Sequence, residues 1–229
     1  MRRKIMKQGN LLKLDLQHFA EEKNYRASTG VDQLYYAVLD ESGAGIITGD
    51  VDLVDFVQTI TVEMPQEAVR AYGSDKTAEI AVANGNVSVS GAFHKLPVEV
   101  RQTLLGLETV DGLSSYGAGD NPPYVACVFA KTHEDGSKEW VGLTKGLFMR
   151  PNINAQTKNE SVQFSPDEIS GQFMERPVDG FEKEKTVVFG YDESGESANR
   201  DKLFQKIFGV AYPNTTTTTS STTTTTTSA

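Results

Sequence analysis

The chain has 229 residues, with 22 Lys and Arg against 31 Asp and Glu for a formal net charge of −9, one cysteine and one tryptophan. That length buries most of a domain's apolar surface, and a 38% hydrophobic share excludes wholesale disorder. No stretch reaches the roughly 18 apolar residues of a membrane-spanning helix, and one cysteine excludes an internal disulfide or a cysteine-based zinc cluster.

The charge is unevenly placed. Met1–Arg26 holds seven basic residues and three acidic ones, a +4 leader that leaves −13 on the rest of the chain. An acidic body is unsuited to gripping nucleic acid through its phosphates. Arg2, Arg3 and Lys4 precede Leu11, Leu12, Leu14 and Leu16 in the order of a signal peptide. Lys13 and Asp15 break that apolar run and no small-x-small cleavage site follows, so export is not expected. Leu12, Leu16 and Phe19 share one face at helical spacing, as in a short amphipathic arm; an unstructured leader is the alternative.

From residue 27 to 214 the pattern is mainly β. Val31–Leu39 is aromatic and branched and ends at the turn signal Asp40-Glu41-Ser42-Gly43. Gln58–Met64 alternates like a half-buried strand. Thr77–Ala83 and Asn86–Phe93 alternate too, and the Asn84-Gly85 between them predicts a type I′ hairpin. Pro97 fits a first helical position, Val100, Leu104, Leu105 and Leu107 form one stripe, and Gly106 weakens or ends the last turn. Leu113–Pro123 reads as a loop rich in Gly, Pro and Ser. Tyr124–Thr132 and Lys138–Arg150 form a second hairpin about Glu134–Ser137. Strands follow at Glu168–Glu175 and Thr186–Tyr191, then a helix at Asn199–Phe208 before Gly209. The expected fold is a β-sandwich or barrel with a flanking helix. The last fifteen residues, Thr215–Ala229, are eleven Thr, three Ser and one Ala, with almost nothing to bury. Three regions are expected: a basic leader 1–26, a β domain 27–214, and a flexible tail 215–229.

Chemistry finds little support. His18, His94 and His133 fall in the leader, at a strand end and beside a turn, and His133-Glu134-Asp135-Gly136 is better explained by the turn than by a metal. Cys127, among Val125, Ala126, Val128 and Phe129, reads as a packed thiol. Gly117-Ala118-Gly119-Asp120 lacks the strand and helix of a phosphate loop, and Pro122-Pro123 forbids the helix. Asp50, Asp52 and Asp55, interleaved with Val51, Leu53, Val54 and Phe56, read as a solvated face rather than a cation site. Trp140 and Tyr35-Tyr36 suit packing better than a sugar platform. No catalytic, cofactor or metal residue is assigned, and no enzyme is expected.

The segment from Tyr72-Gly73-Ser74-Asp75-Lys76 through the Leu96-Pro97…Leu107 helix resembles the major tail (tail tube) proteins of long-tailed phages of Gram-positive bacteria. So do the opening Ala27–Val38, with Gly30-Val31 and Tyr35-Tyr36-Ala37-Val38, and the stretch Lys145–Gly180. The likeness covers residues 27–212. Separately, Leu12–Glu21 is similar to the opening of many phage head and tail structural proteins, with His18 in place of the usual second aromatic. The resemblance implies a virion protein, assembled in the host cytoplasm, whose hexameric rings stack into a tube that delivers DNA. Its implied partners are other copies of itself, the tape measure protein, the tail terminator and distal tail proteins, and DNA in passing, with no cofactor and no membrane. An acidic bore would repel phosphates and let the duplex slide. The connection Asp40–Asp75 is the expected arm to the next ring, with an ordinary surface hairpin as its alternative. The family often appends an immunoglobulin-like domain, so the Thr-rich end reads as a decoration or as a linker to a domain of a longer product. The alternative of another class is a cell-surface β-sandwich binding module on a Thr/Ser-rich stalk. A β-rich hydrolase lacks a nucleophile–base pair.

Overall fold

The computed structural model describes residues 27–40, 50–73, 76–153 and 165–213. The leader face of Leu12, Leu16 and Phe19, the turn at Glu41–Gly43 and the Thr-rich end lie outside them.

The strands are β1 (Ser28–Val38), β2 (Asp52–Val54), β3 (Val57–Glu63), β4 (Gln66–Gly73), β5 (Lys76–Asn84) and β6 (Val87–Phe93). Helix α1 (Val98–Leu105) follows, then β7 (Glu108–Val110), β8 (Leu113–Ser115), β9 (Val125–His133), β10 (Lys138–Met149), β11 (Asp167–Met174), β12 (Val187–Asp192) and helix α2 (Ala198–Phe208). The main sheet runs β2-β1-β9-β10-β11-β6-β3, with β12 also paired to β10. All these pairings are antiparallel. The end strands of that path, β2 and β3, are separated only by Asp55 and Phe56. Three Cα–Cα steps span at most about 11 Å, so the sheet must curl until its ends meet. The result is a β-sandwich rolled into a barrel, with helices packed on it.

One apolar cluster fills the roll: Leu34, Tyr36, Val54, Phe93, Cys127, Leu143, Phe148 and Phe173 among others, with Leu104 and Leu105 of α1. A second lies outside the sheet, where Tyr35, Ala37, Ala126, Val128, Ala130 and Trp140 meet α2. β9 belongs to both, which is why Val125–Ala130 is buried at every position and reads as an unbroken apolar run. Leu203, Phe204, Ile207 and Phe208 form the buried face of α2. Small residues let the helix approach: a Cβ on Gly142 would sit 2.8 Å from Ile207 Cγ1. The carboxylate of Asp192 at the end of β12 accepts the N–H groups of Asn199 (2.8 Å) and Arg200 (2.9 Å), satisfying two open donors of the first turn. Gly209, at φ 72°, closes the other end.

Two expectations are corrected. β5 and β6 do not pair with each other. β5 pairs with β4, while β6 lies between β3 and β11. Asn84-Gly85 is therefore a joint in one long ribbon, β3–β4 outward and β5–β6 back. Neither residue has a positive φ. Gly85 is needed for a different reason: its N–H donates to Pro65 O (2.8 Å), and a Cβ there would lie 2.8 Å from Pro65 Cγ. Pro65 cannot donate to the ladder, so the ribbon breaks at that point. The second correction concerns Leu113–Pro123, whose first residues form β8 and pair with β7. Asp111 and Gly112, at φ 49° and 78°, make the turn between them.

Among the described residues, the other expected strands and helices form within a few residues of their expected bounds. Pro97 sits at the N-cap of α1, one position before the first helical position expected of it, and the helix ends on Gly106 at φ 61°. β9 and β10 form the hairpin about Glu134–Ser137, where Asp135 Oδ1 accepts from the Ser137 N–H and hydroxyl.

Candidate functional site

The residues that usually carry chemistry are scattered. Cys127 is buried in the barrel cluster, and burial pushes its thiol pKa up, so no thiolate is offered. His94 follows the end of β6, and His133 leans on Tyr191 at the β9–β10 turn. Among the described residues no group of three or more His, Cys, Asp or Glu is placed to hold a metal ion. Gly117 and Asp120 bond within their own loop, tied down by Arg150 Nη2 on Gly117 O (2.7 Å). Asp50, Asp52 and Asp55 are exposed beside or within β2.

The aromatic pair is split by strand alternation. Tyr36 enters the barrel, whereas Tyr35 faces α2. Tyr35 packs edge-on against Phe204 and Tyr212, its hydroxyl 2.7 Å from that of Tyr212 and donating to Gln33 Oε1 (2.8 Å). Arg200 stacks 3.7 Å over the Tyr212 ring. Trp140 lies against the same group. These rings are interior packing and present no flat face to a sugar.

What stands out is surface. β4 and β5 pair only with each other, from Gln66↔Asn84 out to Gly73↔Lys76. Eight residues of β4, at about 3.3 Å each, carry this ribbon roughly 26 Å from the barrel. Val69, Tyr72, Ile80 and Val82 are all more than half exposed. Ala68 and Arg70 lie opposite Val82 and Ile80, giving one face that is aliphatic with a single cation. Glu67, Val69 and Ala71 lie opposite Ala83, Ala81 and Glu79, giving a second face of small residues and two carboxylates. An isolated two-stranded ribbon is marginal in water, and this one leaves its apolar side chains exposed.

Among the described residues of the expected connection Asp40–Asp75, β2 and β3 are barrel strands and β4 is one strand of the ribbon, whose other strand, β5, lies beyond that span. Ile80 and Val82 share one face of β5 as their alternation predicts, and that face is exposed.

Among the described residues no metal-binding cluster is assembled, and the β4–β5 ribbon leaves an apolar face exposed. The sequence model of one family, phage tail tube protein, matches residues 27–217. The chain belongs to that family: it is a non-enzymatic structural component of the virion tail. No curated protein matches it.

Proposed function

We propose that this tail tube subunit closes into hexameric rings that stack, through the β4–β5 arm, into a hollow tube for delivery of DNA to the host. The exposed apolar arm carries the reading: a ribbon with neither face covered gains its burial from another copy. Ring closure is a heterologous contact that returns on itself, and stacking is one that stays open. The −13 outside the leader suits a bore that must pass DNA without holding it. By family likeness the partners are the tape measure, tail terminator and distal tail proteins, in the cytoplasm of a Gram-positive host. Residues 27–214 form the tube domain, with 1–26 and 215–229 outside it; the family match beginning at residue 27 supports that boundary.

The test is to replace residues 66–84 by a two-residue turn, leaving the Glu63↔Ser88 register intact. The expected product melts cooperatively like the parent but forms no tubes under negative stain. Tubes of ordinary length from the armless chain would contradict the reading.

A further inference from the structure

Phe56 is a bulky side chain in the left-handed region, at φ 63°, and is 74% exposed. Its backbone is held from both sides. Val54 is locked to Leu34 on one edge of the sheet and Val57 to Phe93 on the other, while Phe56 O accepts from the His94 N–H (3.0 Å). A two-residue crossing between those edges explains the backbone conformation, but not the phenylalanine. Glycine makes such a crossing without strain, and asparagine with little. The ring gives almost nothing back to its own core. A strained backbone carrying an exposed aromatic side chain points to a contact made outside the monomer.

We propose that Phe56 is the anchor that seats the arm of a second copy, stacked head to tail, on this end of the barrel. The inference rests on the stacked-tube reading and names the surface that receives the arm. Two observations select the occupant. Phe56 stands at the start of β3 and the arm leaves after its end, about 23 Å away for seven strand residues. Each copy thus carries both halves of the contact at opposite ends of one strand, and translation along that strand brings them together as an open stack. Charge then selects the face. Asp55 is exposed beside Phe56 and complements Arg70, which lies on the Ile80/Val82 face of the arm. The other face carries Glu67 and Glu79, which Asp55 would repel.

The experiment compares self-association of full-length variants by sedimentation, with thermal melts at concentrations below assembly. Phe56→Gly relieves the strain and removes the ring. Its monomer should melt about 2–4 °C higher, while the concentration needed for tubes rises at least tenfold. Phe56→Trp should assemble within about threefold of the parent. Asp55→Arg and Arg70→Asp should each weaken assembly, and the two together in one chain should restore most of it, because the pair is formed between copies. Phe56→Gly tubes at the parental threshold, a Phe56→Gly monomer less stable than the parent, or a charge-swapped double variant no better than either single one would each overturn the proposal. Failure of the parent chain to form tubes would overturn the tube reading itself, and this inference with it.

Discussion

At the scale of single residues, the chain uses polar groups to fix edges rather than to react. Asp32 on β1 holds Lys138 at the start of β10 and accepts the Gln33 N–H at 2.9 Å. Burial alone would raise its pKa. The hydrogen bond and charge of Lys138 and the Gln33 amide outweigh that and hold the carboxyl below its usual value. A depressed folded pKa contributes stability that is present above the unfolded value, near 3.9, and is lost as pH falls through the folded one. Asp32→Asn should therefore cost roughly 0.2–1 kcal/mol at pH 7, small because both partners are a third exposed. In denaturant melts that difference should shrink towards zero by pH 2, and a pH-independent difference would contradict the assignment. Arg176, by contrast, is buried, its Nη2 donating to Ile207 O (2.8 Å) at the C-terminal end of α2. A cation suits that pole of the helix dipole. Nothing in the sequence around Arg176 signals this burial, because the partner carbonyl lies 31 positions away.

At the scale of elements, the clearest dependence is of α2 on the absence of a side chain beneath it. Leucine at Gly142 would drive a Cβ to within 2.8 Å of Ile207 and 3.2 Å of Leu203. Gly142→Leu should destabilise the domain by about 1–3 kcal/mol in urea titrations, by overpacking. An unchanged midpoint would mean that α2 is not seated as described. The helices and the β9–β10 hairpin were legible because each is specified locally: a stripe ended by Gly106 or Gly209, and two apolar runs about a turn ending in Gly136. The long ribbon was not. Alternation tells which residues share a face but not which strand lies alongside, so it does not distinguish β6 from β4 as the partner of Thr77–Ala83. Asn84-Gly85 has the composition of a tight turn, but its glycine serves the close approach of Pro65. The Asp111-Gly112 turn was a true signal, obscured by the Gly- and Pro-rich residues that follow it.

At the scale of the whole molecule, a sheet whose ends are sewn together by β2 and β3 gives a rigid body, and the β4–β5 ribbon gives that body a reach beyond itself. Phe56 stands just before β3 and the β4–β5 ribbon leaves after its end, so the two lie at opposite ends of that strand. The contact proposed between those two ends is heterologous and open, the kind that stacks copies without limit. The acidic excess outside residues 1–26 and the exposed aliphatic face of the ribbon are the two surface features on which the proposed function rests. The measurement that bears most directly on this account is negative-stain electron microscopy of the purified full-length protein across a concentration series. The account predicts hollow rings that lengthen into tubes of constant diameter as concentration rises. A chain that stays monomeric at the highest concentration, by image and by sedimentation, would contradict it.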